Sequence, residues 1–404
     1  MEGVFLNAVA FGVVGFLARA ERREPAAHTH LLKELDRRRK VATVAVQGPE
    51  RPVICLGQAL EAVMTDFLRE VRQDLLDSYY RPLPANALNV PSIPGILKAL
   101  HDPYTEYLDP TQFRLLSRET HSSYPGIGVG LLPAKQGLLV VETTPGPAER
   151  AGIRRGDVIV SIGGYPTARA SLDGVVRHLL GRRGTSVSLG VLRRGRSLHF
   201  VVVRATISAP TVQSRLLQDG KLRIGYARLS AFRLGATPVL SRALAKLRRQ
   251  NAAGLVLDLR GNPGGVFDQA VGVSSLFLSR GVIVTLVGAH SGRHVYTAGR
   301  GATTLPLVVL VDRETASDAE IVAAALQDNR RAVIVGENTY GKALVQSIRP
   351  LGNGAALRLT TAHYYTPKGT DISLHGVAPD LHAVDNPSTR TDEALQAALQ
   401  LFLH

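Results

Sequence analysis

Apolar positions change their period along the chain, and each change marks an element. Between residues 222 and 365, short β-branched runs alternate with longer stretches at helical spacing. Leu222–Leu229 reads as a strand, and Thr237–Gln250 as a helix with Val239, Leu240, Ala243, Leu244 and Leu247 on its apolar stripe. Gly254–Arg260 and Leu307–Val311 are short apolar runs, the pattern of strands buried on both faces. Ile321, Val322, Ala325 and Leu326 share one side of a helix that opens at Ser317, and a helix also starts at Asp268. Val333–Val335, Lys342–Gln346 and Leu357–Tyr365 read as further strands, and Glu393–Leu403 as a terminal helix. Strands alternating with helices predict an α/β core of βα units.

Upstream the pattern is different. Ser122–Ile207 is a series of short alternating strands with glycine turns. Gln58–Tyr80 carries Leu60, Val63, Met64, Phe67, Leu68, Val71, Leu75 and Leu76 at helical spacing, a stripe suited to core packing or to a dimer face. Pro82, Pro84, Pro91 and Pro94 break the next stretch, and Glu21–Pro52 is charged with no clear core face. Val4–Ala18 is mostly apolar; as a helix it spans about 22 Å, short of a ~30 Å hydrocarbon core. It fits the apolar region of a secretion signal, with Ala18-Arg19-Ala20 as an A-x-A-like site, but Glu2 is the only charge before it. An atypical signal, a short anchor and an ordinary apolar helix all remain open.

Composition narrows the classes. The 404 residues suffice for two or three domains, and 45% hydrophobic with 20% charged residues describes a globular chain. Cys55 is the single cysteine, so no intrachain disulfide forms, and no Cys/His cluster suggests zinc. The net charge of +15 raises nucleic acid as a partner. The basic residues are scattered as pairs, such as Arg154-Arg155 and Arg330-Arg331, with no aromatic platform or helix-turn-helix pattern. A solvated surface, or one near an anionic membrane, accounts for them better.

The candidate chemistry lies between Leu305 and Gln346. Ser317 stands where a strand turns into a helix, beside amides that lack internal partners and at the positive end of the helix dipole. That position suits a nucleophile, whose oxyanion would meet those amides, including that of Asp318. Ser317 and Glu320 also form S-x-x-E, the pattern of a capping box. In a strand, Lys342, Leu344 and Gln346 share a face. A lysine held against apolar surface loses its charge readily and can take a proton from a serine, with the Gln346 carbonyl orienting the amine. Gly261-Asn-Pro-Gly-Gly265 is a Gly-rich strand-to-helix turn able to present amides to an anion. No G-K-[ST] comes after it, which argues against a nucleotide-binding loop.

T-A-S-x-A-E-I-V-A-x-A-L-Q-D from Thr315 and R-A-x-x-x-G-x-x-T-Y-G-K-x-x-V-Q ending at Gln346 resemble the carboxyl-terminal processing peptidases, serine proteases with a Ser–Lys dyad. Lys342 lies 25 residues after Ser317 and Gln346 lies 4 after Lys342, the spacings of that family. Further matches are Asp102-Pro-Tyr-Thr105, the turn at Gly261–Gly265, Thr366-Pro-Lys-Gly369 and Gly376–Asp380. Gly126-Ile-Gly-Val129, with Val140–Ala148 and Ala151–Ile159, resembles the PDZ domain of the same family. The resemblance covers roughly residues 95 to 382. It departs at Asp318, often Ala in the family, a carboxylate that would repel a developing oxyanion if it pointed inward, and at Ala343, where Gly is frequent.

The resemblance implies an α/β, spiral ββα-type (ClpP/crotonase-like) protease core preceded by a β-rich PDZ domain and N-terminal helices. The expected divisions are a signal or anchor at 1–20, a linker and helical region at 21–121, a PDZ domain at 122–207, the protease core at 208–384 and a terminal helix at 385–404. Ser317 is then the nucleophile, Lys342 the base and Gln346 its orienter. Gly264, Gly265 and Asp318 supply oxyanion amides. Gly126, Ile127, Gly128 and Val129 form the loop that takes a terminal carboxylate, with Ile127 and Val129 lining a pocket for an apolar last side chain. The implied function is endopeptidase cleavage near protein C-termini in the bacterial cell envelope, without metal, nucleotide or nucleic acid. The alternative is a peptide-binding scaffold whose protease core is silenced by Asp318.

Overall fold

The computed structural model describes residues 67–120, 123–168, 170, 172–208, 211–219, 222–299, 302–385 and 391–403. The apolar segment at 4–18, the charged stretch at 21–52 and the first part of the Gln58–Tyr80 stripe lie outside them. The chain forms two compact units, the smaller built mainly from Ile127–Ala205 and the larger from Asp74–Val90, Pro94–Gly126 and the chain from Thr206 onward.

At the centre of the larger unit is a six-stranded sheet in the order Val212–Asp219, Leu222–Leu229, Gly254–Asp258, Leu307–Val311, Val333–Gly336, Leu381–His382. The first pair is an antiparallel hairpin edge; every later pair is parallel. Successive side chains leave opposite faces of such strands, and both faces are covered. Leu255, Leu257, Val309, Val311 and Ile334 pack into the main core with the helices Ala236–Arg249, Phe267–Ser275 and Asp318–Asp328. Tyr226, Val256, Val308, Leu310 and Val335 pack on the other side against Ala394, Leu395 and Ala398 of the terminal helix Glu393–Gln400. Arg260 fastens that helix. Its guanidinium reaches Asp258 at 2.7 Å, Asp385 at 2.8 Å and Asp392 at 2.9 Å, and Asp258 also accepts from the Tyr226 hydroxyl at 2.6 Å.

A second, antiparallel sheet flanks the core. Ala356–Tyr365 pairs with Glu106–Leu108, Val282–Gly288 and Leu344–Pro350, and Gly292–Thr297 extends it. The helix Asp318–Asp328 is buried at every position from Asp318 to Leu326, not along one stripe. Its short alanine-rich sequence is what lets it sit inside the core.

Two expectations shift. The strand expected at Lys342–Gln346 begins at Leu344, with a register shift between Val345 and Gln346. The amides of Gly341 and Lys342 are taken by a buried carboxylate instead of a ladder. In the helical run at 67–78 the stripe is narrower than its apolar pattern, since Val71 and Leu75 are fully buried while Leu76 is half exposed.

The smaller unit is a sheet in the order Val129–Ala134, Gly137–Thr143, Val158–Ile162, Ser186–Arg193, Arg196–Val203, with the short strand Tyr165–Pro166 beside Val158–Ile162. Val140, Ile153, Ile159, Ile162, Leu189 and Val191 form its core. Among the described residues Val129–Ala134 pairs with a neighbour on one side, at the edge of this sheet.

Candidate active site

Ser317 is positioned by a braced turn. After the strand Leu307–Val311, Asp312 Oδ1 accepts from the amides of Gly261, Glu314 and Thr315 at 2.9 to 3.0 Å, and the Thr315 hydroxyl donates to Leu259 O at 3.0 Å. Ala316 N donates to Asn262 O at 2.9 Å, so the turn is tied to the strand end that carries the glycines. Ser317 itself has φ 56° and ψ −117°, a conformation that a non-glycine residue adopts only at a cost of about 1–3 kcal/mol. A strained serine on a strand-to-helix turn is also how unrelated hydrolases expose a nucleophile.

Glu320 joins this turn to Lys342. It is fully buried, and its carboxylate receives four donors. Oε2 accepts from Ser317 N at 2.7 Å and Lys342 N at 2.9 Å. Oε1 accepts from the Thr339 hydroxyl at 2.5 Å and Gly341 N at 2.7 Å. The backbone amides of Ser317 and Lys342 therefore sit on one oxygen, no more than two hydrogen-bond lengths apart. The S-x-x-E pattern is a cap, as its spacing suggests, and also a link between two segments far apart in sequence.

The Lys342 amine donates to Gln346 Oε1 at 2.8 Å and lies 5.1 Å from the centroid of the Tyr104 ring. Gln346 Nε2 in turn donates to Tyr104 O. Burial moves Lys342 from an ordinary lysine near 10.5 down to about 8; Arg358 pushes the same way, and Asp318, Glu106 and Glu320 oppose. Tyr104 belongs to the Asp102–Thr105 segment, which the sequence marks only as a family match. Asp102 shapes it, accepting from Tyr104 N at 2.9 Å and the Thr105 hydroxyl at 2.7 Å. Thr105 Oγ1 then accepts from Thr360 N at 3.1 Å, which sets the segment beside the strand Ala356–Tyr365. The single available signal was the match of this segment to the family.

Gly264 lies directly against Ser317. A Cβ built there would fall 3.0 Å from both Asp318 N and Ser317 Cβ, and its φ is 97°, so both space and conformation require glycine. In this conformation Gly264 N donates to Asn262 Oδ1 at 2.9 Å and Gly265 N to Asp318 Oδ2 at 2.8 Å. The two glycine amides expected to face an oxyanion thus already have acceptors. Burial lifts the Asp318 carboxyl to about 6, against the Gly265 amide and Lys342, which lower it; Asp268 adds to the rise.

Gly126 ends the strand Ser123–Gly126, and Gly128, in the smaller unit, has φ 80°. The carbonyls of Ile127 and Gly128 accept from Ala148 N at 2.9 Å and Thr144 N at 3.1 Å. Ile127 is sunk in the core and Val129 is partly buried, so Val129 is the more accessible of the two expected pocket residues. Among the described residues no group of His, Cys, Asp and Glu could hold a metal ion.

The α/β core thus places a strained serine at a helix N-terminus, with the backbone of the half-buried Lys342 on the same Glu320 carboxylate. Residues 223–383 match peptidase family S41, and residues 141–193 match a PDZ domain. A carboxyl-terminal-processing protease of Synechocystis sp. is 37% identical over 337 residues, 80% of this chain and 78% of that protein. The chloroplastic C-terminal processing peptidase of Tetradesmus obliquus is 36% identical over 319 residues, covering 74% and 69%. The carboxy-terminal processing protease CtpA of Bacillus subtilis is 32% identical over 322 residues, covering 79% and 68%. A solved Bacteroides fragilis protein described as an S41 protease shares the fold, with a TM-score of 0.55 at 19% identity over 83% of this chain and 97% of that one. The chain belongs to peptidase family S41, among the carboxyl-terminal-processing proteases, and acts on protein substrates.

Proposed function

We propose that the protein is an endopeptidase that captures a substrate's free C-terminus on its PDZ domain and cleaves near it with a Ser317–Lys342 dyad. The observation that carries this reading is the shared Glu320 carboxylate, which fixes the backbones of Ser317 and Lys342 together while Gln346 receives the lysine amine. Neutral Lys342 takes the proton of the Ser317 hydroxyl as the oxygen attacks the scissile carbonyl. The oxyanion meets the Asp318 amide at the helix N-terminus; recruiting Gly264 as a second donor requires its amide to leave Asn262 or share it. The lysine, now charged, protonates the leaving amine, and water then releases the acyl group. No metal or nucleotide enters these steps.

Capture of the substrate end rests on the loop Gly126–Val129. Its carbonyls at 127 and 128 are turned into the fold, and the strand Val129–Ala134 offers a sheet edge for an added peptide strand. The basic balance of the chain suits work near an anionic membrane, in keeping with export to the cell envelope. Among the described residues no helix is long and apolar enough to cross a membrane.

The test is cleavage of a loosely folded protein at alkaline pH by the wild type, Ser317→Ala and Lys342→Ala, together with binding of one apolar-ended peptide as free acid and as amide. Cleavage by the wild type alone, with tighter binding of the free acid, supports the reading. Cleavage by Lys342→Ala removes the assigned base, and equal binding removes carboxylate capture.

A further inference from the structure

We infer that Asp318 is a positioning residue of this site, its buried carboxylate clamping the Gly264–Gly265 peptide against Ser317. The inference rests on the Ser–Lys reading above and adds to it a residue that the family's dyad does not require.

The peptide between Gly264 and Gly265 is held from both sides. Its carbonyl accepts from Phe232 N at 2.9 Å, and its N–H donates to Asp318 Oδ2 at 2.8 Å. Val266 N returns to Phe232 O at 2.8 Å, so the turn cannot rotate on the Phe232 side without losing two bonds. On the other side the Asp318 carboxylate is the holding group. Gly264 sits against Ser317 Cβ and Asp318 N. Movement of this turn changes the shape of the space where the scissile carbonyl must lie. An alanine at 318 leaves the Gly265 amide without this acceptor and the turn without its hold on that side.

The same carboxylate acts on the base through space. The charged and titratable groups facing Lys342 are Asp318 and Glu320 from the helix Asp318–Asp328, Glu106 and Arg358 from the flanking sheet, and Tyr104. Those facing Asp318 are Lys342 and Asp268. Of the acids, Asp318 favours charged Lys342 most strongly. Removing its charge lets the lysine lose its proton at lower pH. Asp318 therefore holds the enzyme to a more alkaline range than an uncharged residue there would allow.

Two variants separate the clamp from the charge. Asp318→Asn keeps an oxygen for Gly265 N–H and removes the charge; Asp318→Ala removes both. Peptide hydrolysis by the full-length wild type and both variants is followed from pH 6 to 10, and amide exchange of the 261–268 segment is followed by mass spectrometry. The rising limb of the rate should move toward acid in both variants, by roughly one pH unit. The plateau should fall tenfold or more in Asp318→Ala and by a smaller factor in Asp318→Asn, which keeps an acceptor for Gly265 N–H. The segment's exchange should quicken in Asp318→Ala alone. Unmoved limbs in both variants would overturn the electrostatic role, and unchanged exchange in Asp318→Ala would overturn the clamp. Ser317→Ala is run alongside: residual cleavage there removes the Ser–Lys reading, while the exchange result still decides the clamp.

Discussion

Replacing Glu320 tests the link between Ser317 and Lys342 most severely. Its buried carboxylate accepts four hydrogen bonds, two on each oxygen, of which those from Thr339 and Gly341 are buried and those from Ser317 and Lys342 partly buried. A hydrogen bond to a charged group contributes about 1.5–3 kcal/mol, and a stranded buried donor costs about 1–3 kcal/mol. The four share one acceptor and do not add independently. A loss of about 3–5 kcal/mol is therefore expected for Glu320→Ala, in line with breaking other buried charge networks. Glu320→Gln is gentler and directional. Its nitrogen must face either the Ser317 and Lys342 amides or the Thr339 and Gly341 pair. Thr339 Oγ1 can reverse and accept from that nitrogen, whereas the amides cannot. Gln should therefore keep Ser317 and Lys342 on its oxygen and lose Gly341. Urea unfolding of the full chain reads the stability, and peptide hydrolysis reads the geometry. Both variants should lose kcat, Ala by a hundredfold or more, Gln by less, since small misplacement of reacting groups is costly. Wild-type stability and turnover in Glu320→Ala would refute the reasoning outright.

Two further outcomes rest on the same structure. In unfolded chain Lys342 keeps its proton up to about 10.5, but in the native state it loses it near 8. The unfolded state thus binds the extra proton in that window, and the penalty on folding is full below pH 8 and fades as pH rises toward 10.5. Lys342→Met should abolish cleavage yet raise stability at pH 7 by up to about 3 kcal/mol, less the lost bond to Gln346, with the gain shrinking by pH 10. A variant less stable than wild type at pH 7 and not at pH 10 would reverse that sign. Arg260→Met leaves the fully buried Asp258 without its cation and frees the terminal helix. It should cost about 3–5 kcal/mol in thermal or urea unfolding, with the segment at 391–403 exchanging amides first; a neutral effect would show the clamp to be dispensable.

What was legible in the sequence is what local pattern or fixed spacing encodes. Gly254–Asp258 and Leu307–Val311 were readable because a strand covered on both faces has no polar side to disguise it. The interest of Ser317 was readable from its place before a helix, and its weight came from the spacing to Lys342 and Gln346. The site's supports were not readable, because they join distant segments. Gln346 reaches Tyr104 across 242 residues, and Gly265 reaches Asp318 across 53. Glu320 was visible as a cap three residues from Ser317, but its bonds to Gly341 and Lys342, 21 and 22 residues on, leave no local trace. The start of the strand at Leu344 was missed for the same reason, since those two amides are held by the carboxylate.

The most direct measurement of the dyad is covalent. The full-length protein is treated with a fluorophosphonate across pH 6 to 10, and the modified residue and its labelling rate are read by mass spectrometry, beside Lys342→Ala. The account predicts an adduct on Ser317 whose rate rises about tenfold per pH unit below pH 8 and levels above it, with little labelling in the variant. Labelling at another residue, or a rate at Ser317 that ignores both pH and Lys342, would contradict it.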